Sequence, residues 1–122
     1  MKDFRDLRVW LVAHHLTLAI YKMTTQFPRQ ELCGLTSQIR RCSASVAANI
    51  AEGCGRRGNA EFHRFLQIAA GSASELDYHL LLAHDLHFVG DADYQELAIS
   101  LGQLRRMLSA LLSKVALDRS AA

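Results

Sequence analysis

The spacing of apolar residues limits the fold of this chain more than any other feature of its sequence. From residue 91 onward, leucine or valine recurs three or four positions apart, at Leu97, Leu101, Leu104, Leu108, Leu111 and Val115. This spacing places the side chains on one face of an α-helix. Similar stripes run through the rest of the chain, and no segment of useful length alternates with the period of a β-strand. The sequence therefore predicts an all-α fold.

Short breaks divide the chain into four such segments. The only proline, Pro28, ends the first segment, and glycines near residues 53–58 and at Gly90 end the second and third. The predicted helices cover about residues 6–26, 35–54, 59–87 and 91–117. Long helices with short connections favour an antiparallel up-and-down four-helix bundle. We assign this bundle to a single domain over residues 1–122.

The first predicted helix carries more apolar surface than one bundle core requires. One of its stripes consists of Leu7, Leu11, His14, Leu18 and Tyr21. A second stripe beside it consists of Val9, Ala13, Leu16, Ile20, Met23 and Phe27, and Trp10 adds further apolar area. Surplus apolar surface favours self-association. We therefore predict that the oligomer interface is formed by Val9, Trp10, Ala13, Leu16 and Ile20.

Composition and charge exclude several classes of protein. Hydrophobic residues make up 50% of the chain, which is enough for a core, and the three cysteines lack metal-ligand spacing. The longest apolar run is much shorter than the ~18 residues of a membrane span. We therefore predict a soluble cytoplasmic protein that does not enter a membrane. Residues 1–64 hold ten Lys/Arg against five Asp/Glu, and residues 65–122 hold four against seven. This asymmetry favours a polyanionic partner.

The turn GCGRRGN, residues 53–59, is the first candidate site. It places Arg56 and Arg57 just before the third helix, for which Asn59 is the predicted N-cap. Free backbone N–H groups and guanidinium groups together bind phosphate, and Arg64 would extend the basic patch. A simpler interpretation stays open, in which the glycines end one helix and the arginines are merely solvated.

Arg40 and Arg41 form a second candidate site, because they lie in an otherwise apolar or small-residue stretch of the second helix. An unpaired buried charge is strongly destabilising. We therefore predict a structural polar cluster of Arg40, Arg41, Glu52, Ser72 and Glu75, and we keep both arginines as candidate nucleic-acid contacts. Gly71, in the middle of the third helix, predicts close backbone contact at that position.

No pattern in the sequence indicates an active site. His84 and His87 are three residues apart on the third helix, but the chain has neither an HExxH pattern nor the paired Glu-x-x-His motifs of di-iron bundles. No glycine-flanked serine or cysteine stands at a sharp turn. We therefore predict a protein that is not an enzyme and that needs no metal or cofactor.

Several of these motifs, in this order, resemble the bacterial four-helix-bundle family of ribosomal RNA intervening-sequence proteins, to which the retroelement accessory variability determinant is related. The motifs are DLRVW at 6–10, FP at 27–28, GLTSQIRR at 34–41, NIAEG at 49–53, EFHRFL at 61–66 and GSASEL at 71–76. The resemblance implies an antiparallel four-helix protomer and a ring-like homopentamer. In the better understood branch of the family it also implies nucleic-acid binding through basic surface.

Two hypotheses of function follow. In the first, the chain is a non-enzymatic oligomeric scaffold that binds RNA or a ribonucleoprotein through Arg56, Arg57, Arg64 and, in addition, Arg40 and Arg41. In the second, it is a protein–protein interaction scaffold whose arginines form structural ion pairs and never touch nucleic acid. The two differ in whether purified protein binds RNA in a salt-dependent way.

Overall fold

The computed structural model describes residues 3–121, with side chains described for residues 3–118. Its four α-helices are α1 Arg8–Thr24, α2 Leu35–Gly55, α3 Gly58–Asp85 and α4 Asp91–Ala121. Two short 3-10 helices, Phe4–Asp6 and Arg29–Glu31, precede α1 and α2. No β-strand occurs within residues 3–121. The predicted all-α class is therefore confirmed for this part of the chain, and residues 1, 2 and 122 of the predicted domain lie outside it.

Some helix ends differ from the prediction, whereas α2 begins at Leu35 as predicted. Leu7 is extended, with φ −84° and ψ 124°, so α1 begins at Arg8 instead of Asp6. The carboxylate of Glu31 accepts a hydrogen bond of 3.1 Å from the backbone N–H of Leu35, which caps the first turn of α2. At the other end of the chain α4 continues to Ala121, beyond the predicted end at residue 117.

One hydrophobic core joins all four helices. Its fully buried large side chains are Ile20 of α1, Ile39, Val46 and Ile50 of α2, Leu66, Leu76 and Leu80 of α3, and Leu101, Leu104 and Leu108 of α4. Each helix packs against the next in the chain, and α1 also packs against α4. Within the described residues, α1 and α3 do not come close to each other, nor do α2 and α4. The arrangement is consistent with a four-helix bundle.

The structure corrects our assignment of the two stripes of α1. Val9, Ala13, Leu16 and Ile20, which we predicted to form the oligomer interface, are buried in the core of the protomer, and Trp10 packs partly against that core. The exposed apolar side chains of α1 belong to the other stripe: Leu11 is 42% exposed, Leu18 55% and Tyr21 44%. Both stripes have helical spacing, so periodicity alone could not decide which of them faces inward.

Helices α2 and α3 approach each other closely at Gly53, not at Gly71. A β-carbon added to Gly53 would lie 2.9 Å from Cδ1 of Phe62 and 2.9 Å from Cβ of Phe65, whereas one added to Gly71 would meet no atom within 4 Å. The prediction of backbone contact at Gly71 is therefore wrong. Farther along the same helix pair, the hydroxyls of Ser45 and Ser72 share a hydrogen bond of 2.8 Å.

Candidate nucleic-acid interface

The candidate interface begins at the turn between α2 and α3. Arg56 and Arg57 are both extended, with φ −85°, and α3 starts at Gly58, whose φ of +79° favours glycine. Only two residues therefore separate the helices. The predicted N-cap was wrong, because Asn59 lies inside α3 and Arg57 holds the N-cap position without a capping hydrogen bond from its side chain. The N-cap of α3 thus carries no carboxylate or hydroxyl, and the acidic residue in the first turn of the helix is Glu61.

A groove of about 470 Å³ separates this turn from the C-terminal part of α4. Phe62, Leu111 and Val115 contribute apolar side chains that are partly or fully buried. The exposed side chains of the groove are polar or charged. The charged ones are Arg56, Arg57, Lys114 and Asp118, and the uncharged one is Asn59. The groove therefore combines an apolar floor with a rim that carries three cations and one carboxylate.

Two of the predicted arginines form ion pairs with nearby carboxylates. Arg56 donates a 2.8 Å hydrogen bond to Glu52, and Arg64 donates a 3.0 Å hydrogen bond to Glu61. Hydrogen bonding to Arg64 lowers the pKa of the Glu61 carboxyl. Both guanidinium groups also lie over the ring of Phe65, at 5.1 Å and 4.5 Å from its centroid. Their charge is partly compensated, and Arg64 does not line the groove.

Arg57 and Lys114 are the uncompensated cations of the groove. Neither has an ion pair with any residue among 3–118. Arg57 was predicted from the turn. Lys114 was missed, because it lies more than 50 residues from the turn and only the packing of α4 brings it there. No local pattern around Lys114 distinguishes it from a solvated lysine.

Arg40 and Arg41 take no part in this groove. The guanidinium of Arg40 donates hydrogen bonds of 2.8 Å to the hydroxyl of Thr24 and 3.2 Å to the carbonyl of Tyr21, and it lies 4.8 Å from the centre of the Tyr21 ring. Arg40 thus satisfies backbone and hydroxyl oxygens in the last turn of α1, where a cation is favourable. Arg41 is exposed on α2.

The predicted polar cluster does not assemble. Glu52 pairs with Arg56, and neither Arg40 nor Arg41 forms an ion pair among the described residues. Glu75 instead accepts a hydrogen bond of 3.1 Å from the thiol of Cys42. Ser72 bonds to Ser45 on α2. Arg40, Glu75 and Ser72 therefore each have a different partner on an adjacent helix. Glu52 pairs with Arg56 at the end of its own helix, and Arg41 is exposed.

The remaining candidate chemistry of the described residues is limited. Residues 3–118 contain no group of three or more His, Cys, Asp or Glu side chains that could hold a metal ion. His84, one of the two histidines that suggested ligands, lies 2.7 Å from the carboxylate of Asp91 at the start of α4. None of the helices in the described segment has the length and hydropathy to cross a bilayer.

Comparison with known proteins places the chain in a family. The family described as 23S rRNA-intervening sequence protein matches residues 5–110. The chain belongs to this family. The chain is also similar to a solved structure, with a TM-score of 0.77 and 23% sequence identity. The aligned region covers 85% of this chain and 97% of the chain in that structure. It is a protein of unknown function from the S23 ribosomal protein family of Bacteroides thetaiotaomicron. At this identity the similarity supports the fold alone. Among curated proteins, none matches the chain.

Within this member of the 23S rRNA-intervening sequence protein family, the thiol of Cys42 provides a test of the packing between α2 and α3. Burial, with Glu75 as hydrogen-bond acceptor, raises the pKa of Cys42 to about 12 from an ordinary value of 9.0. The unfolded thiol would therefore ionise first as the pH rises. The unfolded state then binds fewer protons than the native state, so Cys42 lowers the free energy of unfolding as the pH rises from about 9 toward 12.

We expect urea unfolding at pH 8 and pH 10 to show a larger loss of stability for the wild type than for Cys42→Ala. At pH 8 the thiol-directed reagent iodoacetamide should modify the exposed Cys33 at least about 100-fold faster than Cys42. Only the thiolate reacts, and the raised pKa of Cys42 leaves very little of it as thiolate at this pH. Equal modification rates for the two thiols in the folded protein would show that Cys42 is not held as described.

Proposed function

We propose that this member of the 23S rRNA-intervening sequence protein family is a non-enzymatic, cytoplasmic, oligomeric scaffold that binds RNA, alone or within a ribonucleoprotein. The observation that carries the proposal is the groove between the α2–α3 turn and α4. Arg57 and Lys114 stand on its rim without carboxylate partners among the described residues, and Arg56 stands beside them.

The electrostatics of the groove suit a phosphodiester backbone. The N-terminus of α3 adds backbone N–H groups and a positive dipole end to the two free cations. Each phosphate that such cations neutralise releases condensed counterions, so affinity falls as salt rises. Among the described residues that line the groove, Asp118 is the only one with a carboxylate. A second cavity, of about 540 Å³ between α1 and α4, is lined by the carboxylates of Asp93 and Glu96 and is less suited to phosphate.

Contacts between helices support an up-and-down arrangement. Thr17 of α1 contacts Ser43 of α2, and Thr24, farther along α1, contacts Arg40, which is earlier in α2. Residue numbers therefore rise along one helix as they fall along the other. Likewise, the α3–α4 contacts pair later α3 residues with earlier α4 residues, as in His84 with Asp91 and Asp77 with Arg105. We infer an antiparallel bundle.

Self-association is part of the proposal, with the interface moved to the outer stripe of α1. Leu11, Leu18 and Tyr21 are exposed on that stripe, and exposed apolar stripes favour association. A ring-like homopentamer would bring five grooves into one assembly. Several copies of a weak RNA site would then act together, which raises the overall affinity.

For the assembly, we expect light scattering at micromolar concentration to give about five times the chain mass of 13.6 kDa. Leu11→Glu/Leu18→Glu should shift the mass toward one chain, because each carboxylate would have to be buried. The matched control is Ile99→Glu/Leu117→Glu, which changes two exposed residues of α4 and should leave the mass unchanged. A monomeric wild type would contradict the assembly.

For RNA binding, we expect the affinity of nucleic-acid-free protein for RNA to fall steeply with salt. Arg56→Gln/Arg57→Gln should weaken binding and flatten the log–log salt slope, by up to about 0.7 per lost phosphate contact for a single strand. The control is Arg29→Gln/Arg106→Gln, which removes the same charge from exposed sites outside the groove. Fluorescence anisotropy at salt concentrations from about 50 to 300 mM measures the RNA affinity and its salt slope. Equal slopes for the two variants would exclude Arg56 and Arg57.

A protein–protein interaction scaffold is the alternative that a specific observation favours. Arg40 is engaged with α1, while Arg56 and Arg64 are paired with carboxylates, as a purely structural role requires. This alternative predicts no RNA retention at physiological salt. It also predicts that Arg40→Glu destabilises the protomer or its assembly, while groove substitutions have no effect.

A further inference from the structure

The groove has a feature that phosphate binding does not need, namely its apolar floor. Phe62 and Leu111 are partly buried, and Val115 is buried, so the floor is apolar along the side of α4. A duplex presents sugar and phosphate on its outside, and a basic surface suffices to bind it. An apolar floor beneath cations is better matched by a ligand with both a flat apolar part and a phosphate.

The volume of the groove fits a small-molecule ligand or a single nucleotide unit. Its 470 Å³ lies within the range of about 300–1,000 Å³ that is typical of small-molecule sites. The floor is also held in place, because the ring of Phe62 packs against Gly53 so closely that a β-carbon there would lie 2.9 Å from Cδ1. A platform that is fixed before binding loses little freedom when a ligand stacks on it.

The charges on the rim agree with the same ligand. Arg57 and Lys114 can bind the phosphate, and Asn59 can donate or accept a hydrogen bond. Asp118 repels phosphate, but its carboxylate accepts hydrogen bonds from the amino groups of a base or from ribose hydroxyls. The single carboxylate among these cations therefore favours one orientation of the ligand in the groove. The phosphate lies toward Arg57 and Lys114, and the base or sugar lies toward Asp118.

We propose that the groove takes one unpaired nucleotide of an RNA, with the base against Phe62, Leu111 and Val115 and the phosphate on Arg57 and Lys114. This inference rests on the proposed RNA binding and specifies which RNA is bound: a bulge, loop or end, whose base can leave the stack. Sequence-specific RNA recognition commonly uses such splayed bases. Duplex RNA without an unpaired nucleotide then binds only through the rim.

The test compares three hairpin RNAs of the same stem: one with a single adenosine bulge, one with an abasic ribose at the bulge, and one fully paired. Stacking of a base on an aromatic side chain is worth about five- to 150-fold in affinity. We expect the adenosine bulge to bind at least about fivefold more tightly than the other two. Lys114→Gln should weaken binding of all three hairpins by a similar factor.

Leu111→Gln tests the floor, because it should reduce the preference for the adenosine bulge while binding to the paired hairpin persists. Leu117→Gln is the matched control, since Leu117 is 71% exposed and lies outside the groove. Thermal unfolding of each variant shows that it is folded, and the three hairpins test the wild type without any substitution. Equal affinity of wild-type protein for all three hairpins would overturn the unpaired-nucleotide site and leave RNA binding standing. No binding of any hairpin at physiological salt would overturn the proposed function itself.

Discussion

Replacing Gly53 by alanine should lower the free energy of unfolding by about 1–3 kcal/mol, whereas the same substitution at Gly71 should raise it by about 0.5–1 kcal/mol. At Gly53 the new methyl group would lie 2.9 Å from Cδ1 of Phe62 and from Cβ of Phe65. The Phe65 Cβ is fixed to the backbone of α3, so the two helices must move apart. At Gly71 a methyl group meets no atom within 4 Å, and only the gain in helix propensity remains.

Thermal or urea unfolding of the two single variants measures this pair directly. For a chain of this size, 1 kcal/mol corresponds to a shift of about 3–5 °C in Tm. Each variant is the control for the other, because the chemical change is identical and both sites are helical. Stabilisation by Gly53→Ala would show that α2 and α3 are not in close contact at this point. Destabilisation by Gly71→Ala would show that another chain covers Gly71 in the assembly.

Reversing the charge of the two free cations of the groove, in Arg57→Glu/Lys114→Glu, should weaken RNA binding about 100-fold at 100 mM salt. On a single strand, each phosphate contact contributes about 0.7 to the slope of log affinity against log salt concentration, so the loss of two contacts lowers the affinity about 25-fold at that salt. The new carboxylates add repulsion to this loss. The folded state should be little affected, because both side chains are exposed and have no ion pair among the described residues.

The matched control for that reversal is Arg29→Glu/Arg106→Glu. It changes the net charge of the chain by the same amount at two exposed sites outside the groove. We expect its effect on RNA affinity to stay below about threefold, since surface charges beyond a Debye length of about 10 Å are screened. If both variants weaken binding equally, net charge and not the groove determines the affinity.

The helices of this protein could be predicted from its sequence because their signals are local. The leucine and valine spacing of α4 and the break at Pro28 depend only on neighbours along the chain. The turn at Arg56 and Arg57 was predicted for the same reason, since glycines on both sides mark the end of one helix and the start of the next. These elements are confirmed with shifts of a few residues at their ends.

Features that depend on packing could not be predicted in this way. The core stripe of α1 was assigned to the surface because two stripes with the same period compete, and only contact with α2 and α4 decides between them. Gly71 was assigned a close contact that belongs to Gly53, because glycine lowers helix stability in either case. Lys114 was overlooked because α4 brings it to the turn from far along the sequence.

The arginines illustrate the same limit at the level of the site. Arg56 and Arg57 line the groove because of their position at the turn, but the groove itself was not predicted. Arg64 is about two helical turns farther along α3 and binds Glu61, while Arg40 binds the last turn of α1. Sequence identifies which residues are cationic. It does not identify which carboxylate or carbonyl oxygen each of them will meet.

Photo-crosslinking tests the central claim, RNA binding in the groove, most directly. A bulged hairpin carrying 4-thiouridine at the bulge is bound to the wild-type protein, irradiated and digested with trypsin. We predict crosslinks on the tryptic peptides of the groove, which are 58–64 with Phe62, 107–114 with Leu111 and Lys114, and 115–119 with Val115. Crosslinks confined to other peptides, such as 9–22 of the first helix, or no crosslinks at all, would contradict the account.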